Sequence, residues 1–206
     1  MKRALSLVLL SASCANFALA QDVKRTESPI AVRVVISRGL DLAIDGSYCY
    51  ALNFTTNDKL SWLGERGGNQ FAQANKIFDT FKQGDEGATA KVYRLSGEYA
   101  RTLEKFWKSD KKSWTTEEIS AIALINASVR TAMWNDLSEV ATAAGTPGRT
   151  VAASVNVDPA KLLAEVRLPS TEASLGTPMA TAQQLRRLAN QLIVEYKAAT
   201  PTPAGK

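Results

Sequence analysis

The sequence predicts an α+β fold: a helix-rich single domain around one long central helix, about 115–144, with a small antiparallel sheet from about 30–54 and 150–157. Three observations carry this expectation. Ile119, Ile122, Ile125, Val129, Met133, Leu137 and Val140 recur at three- and four-residue intervals. At about 100° per residue they fall in one stripe roughly 120° wide, the pattern of a core-facing helix. Residues 30–54 and 150–157 instead alternate with period two, and Asp45-Gly46 interrupts the first run as a hairpin turn would, glycine accepting the positive φ.

Taken in order, Lys2 and Arg3, the apolar run Leu5 to Leu10 and the small residues Ala18-Leu19-Ala20 have the layout of a secretory signal peptide over 1–20. Cys14 raises lipidation, but Ser11 stands where lipoprotein signals carry leucine. Residues 21–29 read as a loose arm. Val32, Val34 and Ile36 alternate in a first strand. Leu40-Leu42-Ile44 and Tyr48-Tyr50-Leu52-Phe54 form the hairpin, in preference to a helix from Leu40 to Asp45. A polar loop from Thr55 to Asn69 follows, ending in Gly64-Glu65-Arg66-Gly67-Gly68.

Phe71, Ala74, Phe78 and Phe81 then mark one helix, and Val92, Leu95, Tyr99, Leu103 and Phe106 a second. Thr115 and Glu118 are spaced as a capping box at the start of the central helix, and Gly145 and Pro147 end it. The opposite face of that helix carries Ser120, Leu124, Ala127, Ser128, Thr131, Asn135 and Ser138 with almost no charge, which suits either contact on several sides or a weakly solvated surface. A third strand occupies 150–157. Asp158-Pro159 opens a short helix, and Leu185, Leu188, Leu192 and Tyr196 line the last one. The globular part spans 30–199, with a disordered tail at 200–206.

Composition excludes several chemistries. The chain holds no histidine, which removes Ser-His-Asp and Cys-His catalysis and histidine-containing zinc sites. Cleavage after residue 20 leaves Cys49 as the one cysteine, so no internal disulfide forms; alternation around it favours a buried thiol over a bond between chains. Loss of Lys2 and Arg3 lowers the formal charge from +5 to +3, with no basic run, so nucleic acid is not an expected partner. No second apolar run is long enough to span a membrane, and no cofactor or metal site is expected.

The candidate binding residues are Trp62, Arg66, Gly67, Gly68, Asn126 and Arg130; no catalytic residue is assigned. Free amides at Gly67 and Gly68 beside Arg66 suit an anion if the segment is a loop before a helix, and flexibility is the plainer account. Trp62 offers a flat contact surface or tucks into the core. Asn126 lies within the apolar stripe of the central helix and Arg130 at its edge, where each either satisfies a core hydrogen bond or reaches a ligand or partner. Ser109-Asp110-Lys111-Lys112 has the Ser-x-x-Lys spacing, in what reads as a solvated linker.

Together these features lead to an expectation of an exported, periplasmic protein if the source is Gram-negative, acting as a non-catalytic protein-binding module on another envelope protein. An accessory subunit of a secretion or conjugation assembly, or an inhibitor or immunity protein, fits that description. The alternatives are a histidine-free hydrolase acting on cell-wall glycan through two carboxylates, with Asp41, Asp45, Glu65, Glu98 and Glu104 as the acids on hand and no pair assigned, and a small-ligand carrier.

Overall fold

The computed structural model describes residues 29–80, 88–110, 114–143, 157–168 and 177–199. Among them there is no strand, and the expected α+β fold gives way to a helical bundle. Six helices follow in order: α1 (Pro29–Thr55), α2 (Ser61–Thr80), α3 (Ala88–Trp107), α4 (Thr116–Ala143), α5 (Pro159–Ala164) and α6 (Thr177–Ala199). The expected signal peptide, most of the expected loose arm, residues 150–156 of the expected third strand and the tail at 200–206 lie outside the described residues. Val157 itself is neither helix nor strand.

The sheet expected over 30–54 is replaced by α1, a continuous helix of 27 residues. Its buried positions are Val32, Ile36, Leu40, Ala43, Ile44 and Ser47, which follow the helical interval rather than alternation. Val34, which a strand would have shared with Val32 and Ile36, points outward and is 52% exposed. Arg33 and Ser37 are buried as well, because α1 is covered by α2, α3 and α4. Polar residues inside and valine outside blur the stripe, and what remains reads as period two.

Asp45-Gly46 is no turn. Gly46 packs against Gly67 of α2 so closely that a Cβ on Gly46 would stand 3.0 Å from the Gly67 carbonyl oxygen, and one on Gly67 would stand 2.9 Å from that of Gly46. Gly46 and Gly67, which suggested a turn and a loop, are therefore where two helix backbones touch. The true turn comes after Thr55, with Asn57 and Asp58 in left-handed backbone at φ 51° and 60°, a conformation these short polar residues tolerate.

Four helices, α1, α3, α6 and α4, form a ring in which each contacts the next, with α2 laid on the α1/α3 side and α5 on the α4/α6 side. Bonds between the elements give their directions. Trp107, at the end of α3, reaches Ser47 in the later half of α1, so these two run parallel. Arg33 meets Asp136 and Ser47 meets Asn126, so α4 runs against α1. Lys91 at the start of α3 pairs with Glu195 near the end of α6, so these also oppose.

Capping fixes the helix starts. Thr115 Oγ1 accepts from the Glu118 amide at 3.2 Å while the Glu118 carboxylate accepts from the Thr115 amide at 3.0 Å, a complete capping box. Asp158 caps α5 by accepting from the Ala160 amide at 2.9 Å, with Pro159 at the first position.

The interior is apolar but crossed by polar links. At one end Tyr50, Phe71, Phe106, Trp107 and Trp114 pack ring on ring, with Tyr50 stacked on Trp107 at 5.7 Å and Trp107 edge-on to Trp114 at 4.9 Å. Below this nest, Tyr99 donates to Asn126 at 2.7 Å, Asn126 donates to Ser47 at 2.9 Å, and Trp107 donates to the same serine at 2.8 Å. The other end holds a buried ion pair, Arg33 with Asp136.

Candidate outer-face interface on α2, α1 and α4

Helix α1 lies between α2 and α4, and its outward positions Val34, Arg38, Asp41, Asp45, Tyr48 and Leu52 recur every three or four residues on one stripe. Val34 and Leu52 are 52% and 54% exposed at either end of it. Each flanking helix contributes an exposed tryptophan: Trp62 on α2 at 56% and Trp134 on α4 at 38%.

Charge is concentrated in the middle of this face. Arg130 of α4 donates through Nε to Asp41 at 2.9 Å and through Nη2 to Asp45 at 2.5 Å. Its guanidinium also stands over the Tyr48 ring, 5.5 Å from the centroid. Burial pushes the Asp41 carboxyl up from its usual range, Arg130 pulls it back, and Asp45 adds to the rise. The Tyr48 hydroxyl is likewise raised, chiefly by burial. A half-buried cation held by two carboxylates and a ring is a fixed feature of this face.

The sequence-predicted residues separate into two groups. Trp62, Arg66 and Arg130 lie on the outer faces of α2 and α4, the first two exposed one turn apart at the start of α2. Gly67, Gly68 and Asn126 do not join them. Gly67 and Gly68 lie inside α2, where backbone amides bond to carbonyls four residues earlier rather than to an anion. Asn126 is fully buried in its hydrogen-bond chain. Sequence reasoning missed Trp134, Val34 and Leu52. Trp134 sits off the apolar stripe of α4, which was the available signal; Val34 and Leu52 were hidden once α1 was read as strands.

Other chemistries find little support in the placement of their residues. Asp41 and Asp45 are one turn apart on one helix and share Arg130, whereas glycosidase carboxylates face each other across a substrate. The Ser109 hydroxyl donates to the Phe106 carbonyl and accepts from Trp114 Nε1, while Lys111 and Lys112 lie outside the described residues. Cys49 is buried and free, its thiol pushed up mainly by burial, with Arg66 opposing. Among the described residues no His, Cys, Asp and Glu side chains group as a metal site, and no helix is long and apolar enough to cross a membrane.

No family model, curated protein or solved structure matches the chain.

Proposed function

We propose that this chain is an exported, non-catalytic protein-binding module that docks another envelope protein on the outer face of α2, α1 and α4. The observation that carries this reading is the pair of exposed tryptophans, Trp62 and Trp134, on the two helices flanking α1, with Val34 and Leu52 exposed toward the two ends of α1 and Arg130 held against its middle. Tryptophan and arginine are the residue types that dominate binding energy at protein interfaces, and preorganised ones cost less ordering on association. Export rests on the layout of residues 1–20. An accessory subunit of an envelope assembly and an inhibitor or immunity protein both use such a face.

The test compares the mature protein with the Trp62→Ala/Trp134→Ala variant in a mild pull-down from the native envelope. The expected result is one partner at near-equal amount with the unaltered protein and its loss from the variant, at unchanged helical content. A partner-free protein, or a partner held equally by both, would overturn the reading.

A further inference from the structure

We propose that the groove between α5 and α6 is a second docking site, which takes a short, extended acidic segment of a partner protein with aliphatic residues between its acids. The groove holds about 780 Å³, and Leu163, Ala164 and Leu168 give it an apolar side. That volume falls within the roughly 300–1,000 Å³ of specific ligand sites. Arg186 and Arg187 of α6 line it, both exposed and neither with an ion-pair partner among the described residues. No carboxylate is among the described residues that line it. Two unneutralised guanidinium groups in a groove with an apolar side select a ligand that is anionic and aliphatic at once.

The remaining lining favours a peptide over another polyanion. Gln183, Asn190 and Gln191 present side-chain amides along α6, each able to donate to and accept from a peptide backbone. From Gln183 to Gln191 the helix rises about 12 Å, which about four residues of extended chain would span. In such a chain alternate side chains point to opposite sides, so carboxylates reach the arginines while the aliphatic residues between them meet Leu163 and Leu168. A nucleic-acid or phosphate chain would use the arginines and leave the leucines uncovered.

The experiment is a fluorescence-anisotropy titration of the mature protein with a labelled hexapeptide of alternating glutamate and leucine. Saturable binding is expected, weaker by about tenfold or more for the glutamine–leucine counterpart, since charge-assisted bonds are worth about 1.4 kcal/mol or more each. The Arg186→Glu/Arg187→Glu variant, and Ala164→Trp, which fills the groove without touching its charges, should each abolish it. The proposal is overturned if the acidic peptide does not saturate, if both variants bind it within about twofold of the unaltered protein, or if a labelled oligothymidylate binds as tightly. Trp62 and Trp134 do not line this groove, so its failure would leave the outer-face reading standing.

Discussion

Tyr99 of α3 and Asn126 of α4 are joined by a 2.7 Å hydrogen bond at a point where neither residue has any exposed surface. Asn126→Leu is expected to destabilise the fold by about 1–3 kcal/mol, because it leaves the Tyr99 hydroxyl buried without its acceptor. Adding Tyr99→Phe should recover part of the loss, so the double variant is more stable than the two single effects predict. Urea unfolding of all four proteins measures this coupling. Strict additivity would mean that the bond contributes nothing.

The backbone contact between α1 and α2 predicts opposite outcomes for neighbouring glycines. Gly67→Ala would place its Cβ 2.9 Å from both the Gly46 carbonyl oxygen and the Tyr50 ring, so about 1–3 kcal/mol should be lost to overpacking. Gly68→Ala meets only the Tyr50 hydroxyl at 3.5 Å, an ordinary contact, and should gain up to about 1 kcal/mol of helix propensity. Thermal midpoints moving in opposite directions would support the contact; a gain at both positions would refute it.

Alkali should unfold the protein through its buried tyrosines. Burial holds the hydroxyls of Tyr99 and Tyr196 protonated well above their usual range. The unfolded chain releases those protons near pH 10, so above that the folded state binds more protons and stability falls as pH rises. Below that pH the contribution is intact. Each buried hydroxyl adds about 1.4 kcal/mol per pH unit to the slope. Tyr196→Phe should flatten the decline measured between pH 10 and 11.5 by denaturant titration, and an unchanged slope would exclude it as a source.

Arg33 and Asp136 are both buried, and each removes a charge from the other's immediate surroundings when it is lost. Asp136→Ala is expected to cost about 3–5 kcal/mol, whereas Arg33→Met/Asp136→Leu should return most of that, since a matched apolar pair avoids desolvating two charges. Equilibrium unfolding separates the cases: a double variant as weak as Asp136→Ala would show that the pair contributes more than mutual compensation.

How much of this was legible in the sequence depended on how many neighbours each helix has and on which residues face them. Ile119, Ile122, Ile125, Val129 and Met133 are all buried, so the stripe on α4 was plain, as was its capping box. In α1 the polar residues Arg33, Ser37 and Ser47 face inward, each within the bundle, while Val34 and Leu52 face out. Hydropathy then reported neither face. Gly46 and Gly67 compounded the error, since a glycine that admits a neighbouring backbone looks the same in sequence as one that turns the chain. For the interface, Trp62, Arg66 and Arg130 were legible as residue types that favour contact, but their partners on α1 required the helix to be recognised first.

The parallel pairing of α1 with α3 also sets the order in which a nascent chain can reach this shape. Contacts between α1 and α2 close across a short turn and cost little loop entropy. Ser47, Asp41 and Arg33 must wait for residues 79, 89 and 103 positions later in the chain. Until α4 arrives, water takes the place of its side chains on Arg33, Asp41 and Ser47. The groups that later fasten the two halves together are thus ones that solvent can satisfy while the first half waits.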